Sequence, residues 1–349
     1  MAGNHNGQRK ASSRKNQPGG QHSSVKKNGR KNEREKSEKG AEKRAEKPVE
    51  KPSEKLDGRG AAHAGLAPAG SLFVIGGAED RQDTKIILSD LAKRIGSGKL
   101  VISTLASDYG DELWEAYRKL FSSLGVKSVK HLDMDHRDES SKDPRLDILT
   151  DSTAVFFTGG DQLRITTRLG GTALSERIEE IYSRGGIVAG TSAGATALGE
   201  MMLVGSPGGG INKVGDVLHM TPGLGLAKNM IIDQHFSERG RIRRLLGAVA
   251  QNPRMLGIGI DEDTAVVVEG DGKFYALGSG AVYVVDGHDL SYTNISQASF
   301  SRALSVFGVK LHVLSHGDGF NLNSRQPAHT AAADENSEAE LQLIKEEIA

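Results

Sequence analysis

Between residues 186 and 197 the chain leaves little architectural choice. An apolar run, Gly186-Ile187-Val188-Ala189, meets Gly190-Thr191-Ser192-Ala193-Gly194, and the alanine-rich stretch 195–201 then reads as a helix. Strand, G-x-S-x-G and helix in that order is the layout of a nucleophile elbow, in which a tight turn lifts a serine hydroxyl above the sheet edge. Small neighbours let the helix pack close to the strand. Its N-terminus then lies under the serine, where partial positive charge and free N–H groups favour an anion. G-x-S-x-G alone is common, so its setting has to carry the functional reading.

That setting is an alternation of strands and helices. Order begins at Ser71-Leu72-Phe73-Val74-Ile75, an apolar strand closed by Gly76-Gly77. Residues 84–95 read as a helix with Ile86, Ile87, Leu88, Leu91 and Ile95 on one face, followed by a strand over 99–104. A helix over 111–124, a strand over 126–132, a polar loop through Pro144 and a strand over 153–158 come next. A long helical region over 163–183 leads into the serine strand. Such alternation predicts βαβ units and a mainly parallel α/β sheet flanked by helices. Right-handed crossovers put all the strand C-terminal ends on one edge, where functional loops of open α/β sheets collect. Short β runs at 263–269, 273–277 and 281–285, separated by Asp271-Gly272 and Gly278-Ser279-Gly280, read as antiparallel hairpins extending the sheet.

Composition divides the chain. Its formal charge of zero hides a basic arm: residues 1–60 hold 17 Lys and Arg against 8 Asp and Glu, leaving 28 basic and 37 acidic groups elsewhere. Residues 1–68 offer little apolar bulk beyond Val25, Val49, Leu56 and Leu66, so this segment is expected to be disordered, with transient helix around 33–47. Its surplus charge would suit nucleic acid or another polyanion, although no aromatic residue punctuates it. The expected organisation is an arm over 1–68, an α/β body over 69–323 and a polar, acidic tail over 324–349. Cysteine is absent, which excludes disulfides, a thiolate nucleophile and Cys-ligated metal. With no apolar run of membrane-spanning length and a polar N-terminus, neither a membrane span nor a secretory signal is expected, and a cytoplasmic location follows by elimination. Neither glycine pair fits G-x-G-x-x-G and no H-E-x-x-H occurs, so no dinucleotide, other cofactor or metal is expected.

A serine needs a base, and the base an orienting group. Among 11 histidines, His235 has the most telling surroundings, after the apolar run Met230-Ile231-Ile232 and before a basic helix read over 238–246. A helix-capping histidine is the competing reading, and His219 stays a second choice. The carboxylate should also end a strand, and Met255-Leu256-Gly257-Ile258-Gly259-Ile260 runs into Asp261-Glu262-Asp263. Spacing alone does not choose among these three acids, which also suit an ordinary acidic turn. Gly160, in Gly159-Gly160-Asp161-Gln162, and Ala193 are placed to offer backbone N–H groups to an oxyanion.

Five motifs occur in order: Gly76-Gly77-Ala78-Glu79-Asp80, the run 156–162, Gly190-Thr191-Ser192-Ala193-Gly194-Ala195, the run 233–241 beginning Asp233-Gln234-His235-Phe236, and Gly257-Ile258-Gly259-Ile260-Asp261-Glu262-Asp263-Thr264-Ala265. Together they closely resemble the cyanophycinase family of serine exopeptidases, related to the aspartyl dipeptidases, over about residues 70 to 320. The resemblance implies a flavodoxin-like or class I glutamine amidotransferase-like fold. It implies Ser192 as nucleophile, His235 as general base and acid, Glu262 as orienting partner, and Gly160 and Ala193 as the oxyanion hole. It places Gln162, Asp233, Gln234, Arg239, Arg241 and Arg244 near the substrate pocket; for Arg241 and Arg244 a solvated basic helix face is the competing reading. The implied substrate is cyanophycin, a poly-aspartate with arginine on each β-carboxyl, cut from its C-terminal end to β-aspartyl-arginine through an acyl-enzyme. The implied assembly is a homodimer. The order Ser, His, Glu differs from that of α/β-hydrolases and argues against a lipase or esterase. The alternatives are an aspartyl dipeptidase or broader peptidase with the same triad, or a non-catalytic protein holding a polyanion or granule through its arm.

Overall fold

A computed structural model describes residues 70–134, 136–137, 142–204, 218–297 and 302–329. The expected basic arm, and the tail beyond residue 329, lie outside the described residues. The first half contains β1 (Ser71–Ile75), α1 (Ile86–Ile95), β2 (Lys99–Ser103), α2 (Gly110–Ser123), β3 (Ser128–Leu132), α3 (Leu146–Leu149), β4 (Ser152–Phe157), α4 (Gln162–Leu169), α5 (Ala173–Ser183) and β5 (Ile187–Thr191). Then come α6 (Ala193–Ala197), β6 (Gly199–Leu203), β7 (Met220–Pro222), β8 (Ala227–Gln234), α7 (Ile242–Gln251), β9 (Leu256–Ile260), β10 (Thr264–Val268), β11 (Lys273–Gly278) and β12 (Val282–Asp286). The body closes with β13 (Tyr292–Thr293), β14 (Val306–Phe307), β15 (Lys310–Leu314), β16 (Asp318–Asn321) and β17 (Gln326–His329).

Among the described residues two large sheets form the body, where the sequence suggested one. The first runs β17-β16-β11-β10-β1-β5-β4-β2-β3, the second β15-β12-β9-β8-β6-β7. Strands β1 to β5 of the first are mutually parallel, whereas β10, β11, β16 and β17 join antiparallel. In the second, β6, β8 and β9 are parallel. Alternate side chains of β1 show how the layers stack. Phe73 and Ile75 pack with Ile87 and Leu91 of α1, while Leu72 and Val74 share a core with Ile232, Ile258 and Val284 of the second sheet. On the far face of the second sheet, Ile231 meets Leu245 and Val249 of α7. Strands buried on both faces explain the unbroken apolar runs in the sequence. Each such side chain contributes about 1.5–3 kcal/mol when fully buried.

Several boundaries differ from the sequence expectation. The region 163–183 is two helices, parted at Gly170-Gly171, with Thr172 capping α5 through its hydroxyl. The helix read over 195–201 is a single turn ending at Ala197; residues 199–203 instead form β6, drawn into the second sheet by pairing with β8 and β7. The helix after His235 begins at Ile242, because Gly240, with φ 58°, and the bond from Arg241 N to Phe236 O close a turn first. Strands β10 and β11 form the expected hairpin, but β12 leaves for the second sheet, between β9 and β15. The ordered chain also continues past Ser324, where β17 pairs with β16.

Candidate active site

Five strand ends and one crossover meet where the two sheets adjoin. From the first sheet come the residues after β1, β4 and β5; from the second, those after β8 and β9. The link 261–263 carries the chain from β9 across to β10, so a residue there belongs to both sheets.

Ser192 follows β5 directly, with φ 53° and ψ −113°, in a region a side chain rarely occupies. Its N–H is held by Ile75 O at 3.0 Å. A Cβ on Gly190 would come 2.5 Å from the carbonyl carbon of Gly194, so the close approach of strand and helical turn demands glycine. Since α6 is one turn long, its summed dipole is smaller than a full helix would supply, and individual N–H groups carry the electrostatics. Among the described residues the amides of Gly160 and Ala193 donate no hydrogen bond, leaving both free to meet an anion. Gly159 lies against the serine, where an added Cβ would be 3.8 Å from Oγ.

His235, also at positive φ (46°), directly follows β8. Its backbone N–H binds Gly76 O at 2.9 Å, and its ring packs so tightly on Gly77 that a Cβ there would lie 2.4 Å from Cε1. The imidazole Nε2 is 2.9 Å from Ser192 Oγ, and Nδ1 is 2.5 Å from Glu262 Oε1. A carboxylate on Nδ1 fixes the tautomer that leaves Nε2 free to accept the serine proton. His235 is therefore no mere helix cap. The imidazole on Ser192 is thus that of His235; His219 accepts from Val204 N through its backbone carbonyl.

The structure separates the three acids after β9. Asp261 accepts from the amides of Ser237 and Ala281, and Asp263 accepts from Asp80 N and Ser279 Oγ. Glu262 alone of the three reaches the imidazole.

Beside the triad, β8 and α7 build a cluster of charge. Asp233 is fully buried; Arg244 grips it with a two-pronged contact, Nε to Oδ2 at 2.7 Å and Nη2 to Oδ1, and Arg241 Nη1 reaches Oδ1 at 3.2 Å. Arg241 also donates to Gln234, to both its backbone oxygen and Oε1. These arginines are thus not a solvated helix face. Burial pulls the Arg241 guanidinium down to about 10, against the pull of Asp233 and with the help of Arg244 and Arg239. Arg239 is exposed and makes no ion pair among the described residues. One carboxylate shared by two guanidiniums, with Arg239 close enough to act on Arg241, leaves a surplus of positive charge. Asp233, sealed from solvent, can act on a ligand only by holding the arginines. Gln162 begins α4 and donates Nε2 to Leu203 O at 2.8 Å, tying that helix to the second sheet. The loop after β1 wraps the histidine although none of the expected site residues lies in it; the acids two and three residues past its glycine pair, Glu79 and Asp80, are the signal in the sequence.

Known proteins place the chain in a family. Residues 72–275 match the profile of Peptidase family S51. Cyanophycinase of Synechococcus elongatus is 37% identical over 265 residues, covering 74% of this chain and 81% of that protein. Cyanophycinase of Geminocystis herdmanii is 38% identical over 261 residues, covering 74% and 95%. A solved peptidase from an acI-B1 Actinobacterium shares the fold, with TM-score 0.52 and 22% identity over 72% of this chain and 97% of its own. The chain belongs to peptidase family S51.

Proposed function

We propose that this chain is a serine exopeptidase that degrades cyanophycin, with Ser192 as nucleophile, His235 as general base and acid, and Glu262 as the group that orients it. The observation carrying this reading is the relay Ser192 Oγ, His235, Glu262 at 2.9 and 2.5 Å beside the arginine cluster, in a chain 37–38% identical to cyanophycinases. Ser192 Oγ attacks the carbonyl carbon of the last backbone amide while His235 Nε2 takes its proton. The C–N bond then breaks, and the same proton passes to the departing amine, releasing β-aspartyl-arginine. A water, deprotonated by His235, attacks the ester and frees the shortened polymer and Ser192. The amides of Gly160 and Ala193 receive the oxyanion at each tetrahedral stage, each worth about 2.7–4 kcal/mol. The surplus charge of Arg239, Arg241 and Arg244 suits the carboxylates at the polymer's C-terminal end, and the same reading puts Gln162 and Gln234 near the pocket. Asp233 supports that clamp from beneath.

Insoluble cyanophycin incubated with the full chain should release β-aspartyl-arginine as the sole soluble product by mass spectrometry; free arginine or longer peptides would refute the assignment. An aspartyl dipeptidase would instead prefer short peptides with an N-terminal aspartate. The homodimer belongs to the same reading, supported by Leu311 and Val313, more than half exposed on the edge strand β15. Sedimentation of the full chain as a monomer would remove it. Among the described residues no helix is long and apolar enough to cross a membrane.

A further inference from the structure

The carboxylate of Glu79 has no part in the chemistry above, yet the residue is only 4% exposed. Its oxygens are met by two hydroxyls: Thr191 Oγ1 donates to Oε2 at 2.5 Å, and the Tyr117 phenol donates to Oε1. Among the described residues no cation pairs with it. Burying a carboxylate without a counter-charge is costly, so its position needs a reason. An ionised carboxylate only accepts, which turns both hydroxyls toward it. Burial, and after it the charge of Glu79, holds the Tyr117 phenol protonated well above its usual range.

What Glu79 connects supplies the reason. Thr191 is the last residue of β5, paired with Ile75 and directly preceding Ser192. Glu79 itself sits in the loop 76–80, which reaches the other two members of the relay. Gly76 O accepts from His235 N, Gly77 packs under the imidazole, and Gly77 O accepts from Asp263 N at 2.9 Å, next to Glu262. Asp80 closes the loop, its N–H on Asp263 Oδ1 at 2.7 Å and its own carboxylate gathering the amides of Gln82, Asp83 and Lys85. Of these contacts, the bond to Thr191 is the side-chain tie to the serine segment.

We propose that Glu79 is a positioning residue, whose carboxylate, gripped by Thr191 and Tyr117, locks the loop 76–80 to the elbow and so sets the distance between Ser192 and His235. This rests on the reading of Ser192 as nucleophile. Glu79→Gln replaces one acceptor by a donor, and Thr191→Val removes the hydroxyl while keeping the β-branched shape; Thr191→Ser keeps the hydroxyl.

The test uses the full chain and two readouts: kcat and KM on cyanophycin, and the rate at which a small fluorophosphonate labels Ser192. Glu79→Gln and Thr191→Val should each lower kcat and the labelling rate by about 10- to 100-fold, with KM within about threefold, since small misplacements of reacting groups cost this much. The double variant should be no slower than the slower single one, because both break one contact. Thr191→Ser should stay within about twofold of the parent, as expected when the lost contact is the hydroxyl's. Folded Glu79→Gln or Thr191→Val labelled at the parental rate would overturn the proposal, as would Thr191→Ser as slow as Thr191→Val. Should Glu79→Gln fail to fold, the two threonine variants decide. A parent chain that is labelled but leaves cyanophycin intact refutes the substrate reading alone, and the labelling rates still judge Glu79. A parent chain whose Ser192 is never labelled removes the nucleophile and this proposal with it.

Discussion

The relay and the arginine cluster share one edge of the molecule but are held by different forces. Ser192, His235, Ala78 and Asp263 all have positive φ without being glycine, at 53°, 46°, 47° and 46°. Each such residue costs on the order of 1–3 kcal/mol and persists only where its surroundings over-determine it. Backbone hydrogen bonds do that here, from Ser192 N to Ile75 O, His235 N to Gly76 O and Asp263 N to Gly77 O. The cluster is the reverse. Asp233 and Gln234 lie in an ordinary strand, and what orders Arg241 and Arg244 is a buried negative charge. Reacting groups fixed by backbone should fail chemically when altered, with the fold intact. A cluster fixed by charge should fail first in stability and binding.

The largest effect tests the first half of that contrast. Ser192→Ala should lower kcat by about 10⁴-fold or more, and His235→Ala similarly, with the double variant little worse than either because the groups act as a unit. Denaturation midpoints should hardly move; retained turnover in Ser192→Ala would break the assignment. Glu262→Gln comes next. It keeps a hydrogen-bonding group near Nδ1 but withdraws the charge that stabilises an imidazolium, and a loss on the order of 10³–10⁴ in kcat is expected. Because Glu262 is partly exposed, its replacement should leave stability within about 1 kcal/mol of the parent in urea titrations.

Asp233→Asn addresses the other half. Two guanidiniums with side chains only 13% and 19% exposed would lose their counter-charge. Breaking a buried pair from one side costs roughly 3–5 kcal/mol, and the lower end applies because both arginines keep some contact with water. The urea midpoint should fall accordingly and KM should rise, while kcat per folded molecule changes less than it does in Glu262→Gln. A variant with parental stability and a collapsed kcat would erase the distinction between the two regions.

The contrast also explains what the sequence disclosed. The placement of Ser192, His235 and Glu262 at one edge was legible because each stands just past an apolar run, where a strand must end, and parallel strands bring such ends together. Choosing Glu262 over Asp261 and Asp263 by residue type was out of reach, since the choice depends on which neighbours claim the flanking acids. The burial of Asp233 was hidden for a related reason: Arg241 and Arg244 meet it across the start of α7, at Ile242 rather than at residue 238. The second sheet was masked by β6. Its sequence, Gly199-Glu200-Met201-Met202-Leu203, holds good helix formers and no β-branched residue, and only pairing with β7 and β8 makes it a strand.

The smallest effect probes the backbone itself. Ala78 is exposed, its φ is 47°, and it sits between Gly77 under the imidazole and Glu79 under the elbow. Ala78→Gly removes no packing, and relieves a conformation that costs roughly 1–2 kcal/mol for a residue with Cβ. Against this, glycine widens the unfolded ensemble by about 0.4–1 kcal/mol, so net stability should shift by about 0 to 1.6 kcal/mol, toward greater stability. If the loop 76–80 holds the relay through its backbone, a more pliant residue at its centre should still cost about two- to fivefold in kcat, a small fraction of the penalty misplacement can carry. A more stable and slightly slower enzyme is the expected result. Unchanged turnover would mean that the hydrogen bonds of Gly76, Gly77 and Asp80 hold the loop without help from its own stiffness.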